Sequence, residues 1–271
     1  MQDTTVVRLE RDGDIAVIVH HDSARMNPLG LPFQHQLRDL LAQVRADTGI
    51  RALVLTAEGR GFCAGADLTA MGGAPADGRT LGEYTAERME QLSNRLILDL
   101  QQLPVPVVCA VNGAAAGAGV GLALAADLTL VARSAYFYLP FLPRLGIVPD
   151  LGTTWFIERR LGRARAMGLA LMGERLGARQ AADWGLVWDC VDDAALRDAA
   201  LSAARRLARL PAGAALEARR ALDAAATHTL EQQLCYEAGR QRELVGGPDF
   251  VEGVQAFLQK REPAFAPRRP G

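Results

Sequence analysis

Two glycine-rich segments, Ala64-Gly65-Ala66-Asp67 and Gly117-Ala118-Gly119, each follow a short apolar run and lead into a helix-forming stretch. Backbone N–H groups placed this way point outward, and the helix dipole behind them adds roughly half a positive charge. Two such turns aimed at one oxygen would form an oxyanion hole, which holds charge as it develops on a carbonyl. Small residues at these positions also suit tight helix-on-strand packing, and spacing alone leaves both readings open. A carboxylate stands at Asp150 in Gly146-Ile147-Val148-Pro149-Asp150-Leu151-Gly152. Ahead of Thr153 and Thr154 the bare pattern favours a helix N-cap. Beside Ile147, Val148, Leu151 and Trp155, desolvation would instead lift its pKa from about 3.9 and make it a better base.

The remaining polar residues offer less. Asp67 is expected to cap the helix after its turn, and Asp127 to close a helix before a strand. His20, His21, His35 and His228 lack metal-ligand spacing, so no zinc site is expected. Cys63 lies beside the first turn without a matched histidine and reads as core packing. Lys260 is the only lysine, which leaves it as the sole candidate for Schiff-base chemistry. Gly117, Gly119 and Gly121 follow G-x-G-x-G rather than the dinucleotide-binding G-x-G-x-x-G.

The elements that must carry these groups are legible from patterning. Val6–Leu9 and Ile15–His20 read as a hairpin about Arg11-Asp12-Gly13-Asp14. After a loop over 22–32, Leu37, Leu40, Leu41 and Val44 mark one helix face. Ala52–Leu55, Val107–Val111, Leu128–Ala132 and Tyr136–Tyr138 read as strands. Helical spacing runs from Leu81 to Leu103 until Pro104 and Pro106, and two short helices follow Gly152. The Gly/Ala/Pro-rich stretch from Met71 to Arg79 is expected to be a mobile surface loop. Beyond about Asp192 every segment looks helical: 193–209, 212–226, 229–245 and 249–258. The pattern predicts an α/β core over 1–192 and a helical region over 193–271.

Composition narrows the class. The 271 residues carry 30 Lys+Arg against 31 Asp+Glu, a net charge of -1, so no global positive field recruits nucleic acid or anionic membrane. Arg159, Arg160, Arg163, Arg165, Arg205, Arg206, Arg219 and Arg220 are the residues that could still build a local basic patch for RNA. The four cysteines are dispersed, and the opening Met1-Gln2-Asp3-Thr4-Thr5 does not look like a signal peptide, so a reducing cytoplasm is expected. Pro106, Asn112 and several glycines interrupt the longest apolar run, 105–126, so no membrane span is expected.

Taken in order, several motifs resemble the enoyl-CoA hydratase/isomerase family, the crotonase superfamily. They are Ser23-Ala24-Arg25-Met26-Asn27-Pro28-Leu29, Gly61-Phe62-Cys63-Ala64-Gly65-Ala66-Asp67-Leu68, Ala110-Val111-Asn112-Gly113 through Gly121, Gly146-Ile147-Val148-Pro149-Asp150, and the ending 252–261. The resemblance implies a spiral of ββα units with a C-terminal helical region that builds homotrimers, often paired into dimers of trimers. It implies chemistry on a coenzyme A thioester through a stabilised enolate, with no permanently bound cofactor and no metal. It assigns the oxyanion amides to Ala66 and Ala118. It places coenzyme A along Ala24, Arg25 and Met26 and then Ala64, Asp67 and Leu68, with Phe257 and Lys260 reaching a neighbouring subunit's ligand.

The chain departs from the hydratases of that family at the general base. Gly121 stands where the first of their two glutamates would be, and Phe141-Leu142-Pro143 holds no carboxylate where the second would fall; here the chain is one residue longer than the family pattern. Thr69 replaces a common lysine. The placement of Asp150 resembles the isomerase branch, especially the ring-epoxide isomerases of phenylacetyl-CoA degradation, and turns the reading of Asp150 from cap to base. A hydratase would need a partner such as Glu83 or Glu87. A non-catalytic acyl-CoA- or RNA-binding member is a third reading.

Overall fold

The computed structural model describes residues 5–71 and 78–268. The stretch 72–77, the centre of the expected mobile loop, lies outside the described residues. The strands are β1 (Val7–Asp12), β2 (Ile15–His20), β3 (Ala52–Ala57), β4 (Gly61–Cys63), β5 (Val107–Val111), β6 (Ala114–Ala116), β7 (Leu128–Ala132), β8 (Tyr136–Tyr138), β9 (Arg175–Gly177) and β10 (Asp189–Val191). The helices are α1 (Leu31–Ala46), α2 (Leu81–Arg88), α3 (Asn94–Gln101), α4 (Ala118–Leu124), α5 (Thr153–Met172), α6 (Ala178–Asp183), α7 (Leu196–Ala208), α8 (Ala214–Ala225), α9 (Leu230–Val245) and α10 (Pro248–Leu258).

Two sheets share the chain alternately. One has the order β1-β2-β3-β5-β7-β10, the other β4-β6-β8-β9. β3 belongs to the first and β4 to the second, β5 to the first and β6 to the second, β7 to the first and β8 to the second, each pair ahead of helix. That alternation is the repeated ββα spiral the motifs imply. The β1/β2 hairpin and the β8/β9 pair are antiparallel; the other pairings are parallel. β5 reads Val-Val-Cys-Ala-Val and is buried throughout, as expected of a parallel strand covered on both faces.

Helix α1 begins at Leu31, earlier than its apolar stripe suggests, because Pro32 fits the first turn, where no intrahelical N–H bond is needed. Phe33, Leu37, Leu41 and Val44 are its buried stripe. α2 and α3 form one helical run joined through a π turn at Met89–Ser93. The two expected helices after Gly152 are the two arms of α5, which breaks at Gly162 (φ 74°, ψ 166°). α7 lies beyond residue 192 but packs on β3, β5 and β7 through buried Leu196, Ala200, Ala204 and Ala208. α8 and α9 have no buried residue. α8 is pinned by Arg219, which pairs with Asp127 at 2.6 Å and donates to the carbonyls of Gln101, Leu103 and Val105. Asp127 also accepts from the Val107 amide, so it joins α8 to the start of β5. Among the described residues, no helix is long and apolar enough to cross a membrane.

Candidate active site

The two glycine turns meet face to face. Gly65 has φ +91°, and a Cβ placed on it would stand 2.8 Å from the Ala116 carbonyl oxygen and 3.4 Å from the Ala118 nitrogen. Only a residue without a side chain permits this approach in this conformation. From the other side, a Cβ on Gly117 would be 3.7 Å from the Gly65 Cα and 3.8 Å from the Phe141 ring. Ala118 opens α4, so the helix offers its N–H no acceptor four residues back. Among the described residues, neither the Ala66 nor the Ala118 amide donates to a protein acceptor. α4 is wholly buried, and Cys63 packs against its Gly119. Burial pushes the Cys63 thiol up to about 12, consistent with an inert core residue.

The loop after β2 folds onto the first turn. Ser23–Arg25 form a 3₁₀ turn, and Met26 and Asn27 follow with φ of 61° and 55°. The Ala64 amide donates to the Met26 carbonyl at 3.1 Å, and the Leu29 amide to that of Gly65 at 2.7 Å. Buried Asn27 braces the loop by donating Nδ2 to the carbonyls of Glu58 (2.8 Å) and Gly61 (2.7 Å). That strut was missed from sequence; asparagine's tolerance of positive φ was the available signal. Arg25 pairs with Asp67 at 2.9 Å and with Asp22, and its side chain is 54% exposed. Asp67 also accepts from the Thr69 hydroxyl. Ala24, Arg25, Met26, Ala64, Asp67 and Leu68 therefore form one continuous ledge beside the Gly65 turn. Phe257 and Lys260 are exposed on and just beyond α10, which packs on α9.

Asp150 is not a helix cap. The N-cap of α5 is Gly152, with no side-chain cap, and the Thr153 amide bonds to the Asp150 main-chain oxygen at 2.9 Å. Leu151 (φ 47°) and Gly152 (φ 72°) are both left-handed, so the chain reverses before the helix begins. Asp150 Oδ1 is left buried without a hydrogen-bond partner. Burial raises the carboxyl to about 6, with its own backbone N–H pulling the other way. Of the expected flank Leu151 is buried, at 4%, whereas Trp155, Ile147 and Val148 are 40%, 52% and 72% exposed. The turn instead sits on α4. A Cβ on Gly121 would overlap the Leu151 carbonyl oxygen and stand 2.9 Å from Thr153 Oγ1. Phe141–Leu145, where the chain was expected to be one residue longer than the family pattern, form a π turn that ends at Gly146.

Other candidates are occupied. Glu83 is the N3 residue of a capping box, and the Thr80 backbone amide holds its carboxyl below the ordinary range. Glu87 pairs with Arg79. Arg160 is mostly buried and donates to the carbonyls of Leu124, Ala126 and Leu186; Arg159 and Arg165 lie over Trp155 and Trp184, and Arg205 pairs with Asp12. Each of these four arginines has a local partner of its own. His20 is stacked on Phe33 at 3.9 Å, and burial holds it neutral with a pKa lowered to about 4.

The profile of enoyl-CoA hydratase/isomerase matches residues 10–268. The chain belongs to the enoyl-CoA hydratase/isomerase family. It is 46% identical over 246 residues to the 1,2-epoxyphenylacetyl-CoA isomerase of Escherichia coli, covering 89% of this chain and 90% of that protein. It is 42% identical over 262 residues to a probable enoyl-CoA hydratase of Rhodobacter capsulatus, covering 97% and 98%. Among solved structures, a putative enoyl-CoA hydratase/isomerase from Mycobacterium abscessus superposes with a TM-score of 0.88 at 33% identity, covering 97% of this chain and all of that one. The spiral core and C-terminal helices are those of a crotonase-superfamily enzyme. Were Asp150 to act as a base, it would have to be anionic, and the rate would depend on pH. As the proton goes on, kcat/KM is expected to fall about tenfold per unit below its pKa near 6 and to level off above it, read from initial rates across pH.

Proposed function

We propose that the protein is an acyl-CoA isomerase that uses Asp150 as its single acid-base group and the Ala66 and Ala118 amides as its oxyanion hole. The observation that carries this reading is the seating of the Asp150 turn on α4 at Gly121. It sets a carboxyl with one buried, unpartnered oxygen beside the helix whose first amide is Ala118. The thioester oxygen accepts from both amides while Asp150 removes the α-proton, and the electron pair moves onto that oxygen. Asp150 then returns the proton at another carbon, so the double bond or strained ring is rearranged with no net addition. Coenzyme A lies along Ala24, Arg25, Met26, Ala64, Asp67 and Leu68, with Arg25 toward phosphate. One carboxylate suffices for this transfer, whereas water addition asks for a second group that Gly121 and Phe141-Leu142-Pro143 do not provide. The relative named as a 1,2-epoxyphenylacetyl-CoA isomerase supports the ring-epoxide branch.

The test is proton NMR of the purified protein with a 3-enoyl-CoA, a 2-enoyl-CoA and an aromatic ring-epoxide thioester. Rearrangement of the first or third supports isomerase chemistry; a hydroxyl appearing on the second makes it a hydratase. We also propose a homotrimer, or a dimer of trimers, assembled through α8–α10. Those helices expose Leu222, Leu230, Phe250, Phe257 and Leu258, at 72%, 76%, 47%, 82% and 74%. Phe257 and Lys260 would then reach a neighbouring subunit's ligand.

A further inference from the structure

Two polar groups on one turn are buried without partners. Thr153 is fully buried, and its Oγ1 makes no hydrogen bond among the described residues. Asp150 Oδ1, three residues earlier, is in the same condition. One residue brings a hydroxyl hydrogen and the other a carboxyl oxygen. The Thr153 N–H bond to the Asp150 main-chain oxygen, 2.9 Å, closes the turn between them. Buried polar atoms left alone cost about 1–3 kcal/mol each, so two on one turn call for a common reason.

We propose that Thr153 is a positioning residue whose hydroxyl donates to the Asp150 carboxylate when that group is ionised, fixing its orientation and setting its basicity. This rests on the reading of Asp150 as the base. Gly121 makes room for it. With no side chain there, Thr153 Oγ1 occupies the space 2.9 Å from where a Cβ would lie, at the position where the resemblance puts a hydratase's first glutamate. The hydroxyl thus stands at the root of the missing carboxylate; it is not bonded to Asp150 in this structure and would turn to it once the carboxyl ionises. Few other groups compete. α4 carries no titratable residue, and Arg144 on the π turn and Glu158 and Arg159 on α5 are solvent-exposed. No charged neighbour contributes to the shift at Asp150, which burial and its own amide set.

A hydrogen bond to the charged form lowers a carboxyl pKa, so removing the donor raises it. The test is the pH titration of Asp150 in protein carrying ¹³Cγ-aspartate, with Asp150→Asn assigning the resonance. Thr153→Val, nearly the same shape, is expected to raise the midpoint by about one unit, a tenfold change in proton affinity. Thr153→Ser is expected to stay near wild type, and the acid limb of kcat/KM to move with each midpoint. Thr153→Ala supplies a second hydroxyl-free variant should valine disturb folding. An unmoved midpoint in both hydroxyl-free variants, or a serine variant shifted as far as valine, overturns the proposal. The titration needs no turnover, so it separates the two ideas. If the midpoint moves while Asp150→Asn retains full activity, the coupling stands and the base assignment fails.

Discussion

Asp150→Asn is expected to lower kcat by about 10³- to 10⁴-fold, the upper range for losing a general acid-base group, while binding of the coenzyme A ester changes only a few-fold. The asparagine fills nearly the same space, so the turn on α4 should persist, and the ledge from Ala24 to Leu68 contains none of its atoms. Stability should move the opposite way to activity. The folded carboxyl is raised to about 6, above its unfolded value near 3.9, so the folded state binds the proton more tightly. Asp150 therefore favours folding most at low pH, and that contribution is lost as pH rises between the two values. Above about pH 7 the wild type holds a buried charge that the asparagine variant does not, and the variant's Tm should be equal or higher. Steady-state kinetics and thermal unfolding at two pH values check both halves. A variant with near-normal kcat would remove Asp150 from the mechanism.

Gly121→Ala is expected to cost about 2–3 kcal/mol of stability and about 100-fold in kcat/KM, although alanine is the better helix former. The added methyl would meet the Leu151 carbonyl oxygen, with Thr153 Oγ1 at 2.9 Å and Leu151 Cβ at 3.0 Å. Either α4 or the 150–153 turn must move, and either shift changes the distance between the base and the Ala118 amide. Gly121→Glu should be worse still and should not create hydratase activity, because the side chain has no room to leave the helix. Chemical denaturation and initial rates measure both effects. A Gly121→Ala protein that is more stable and fully active would mean that the turn does not bear on α4.

The largest features were legible because they rest on long periodic signals. The β1/β2 hairpin, the buried runs of β3, β5 and β7, and the last four helical segments all lie where alternation or 3.6-residue spacing placed them. The second sheet was mostly missed. Its β4, β6 and β9, and β10 at the edge of the first sheet, have three residues each, too few to show a period, and β6 is three alanines. The paired glycine turns were visible by type, but Gly65 facing Gly117 depends on strands β4 and β6 lying side by side. Asp150 was singled out as a residue of interest and, on bare spacing, read as a helix cap. The capping expectation failed because Leu151 and Gly152 turn left-handed, and left-handed backbone at a leucine has no local sequence signature. Its turn rests on α4 through Leu151 and Thr153, while Val148 is exposed. Thr153 carried no signal at all, since a threonine opening a helix is ordinary until its hydroxyl is found buried and alone.

The central claim is that Asp150 removes a proton from a thioester whose oxygen is held by the Ala66 and Ala118 amides. Its most direct measurement is deuterium exchange at the α-carbon of a saturated acyl-CoA in heavy water, followed by mass spectrometry, comparing wild type with Asp150→Asn. No later step can mask the result, because such a thioester can only exchange. The account predicts exchange by the wild type, slowing below a pH near 6, and none above background in the variant. Equal exchange by both proteins would contradict it and place the base elsewhere.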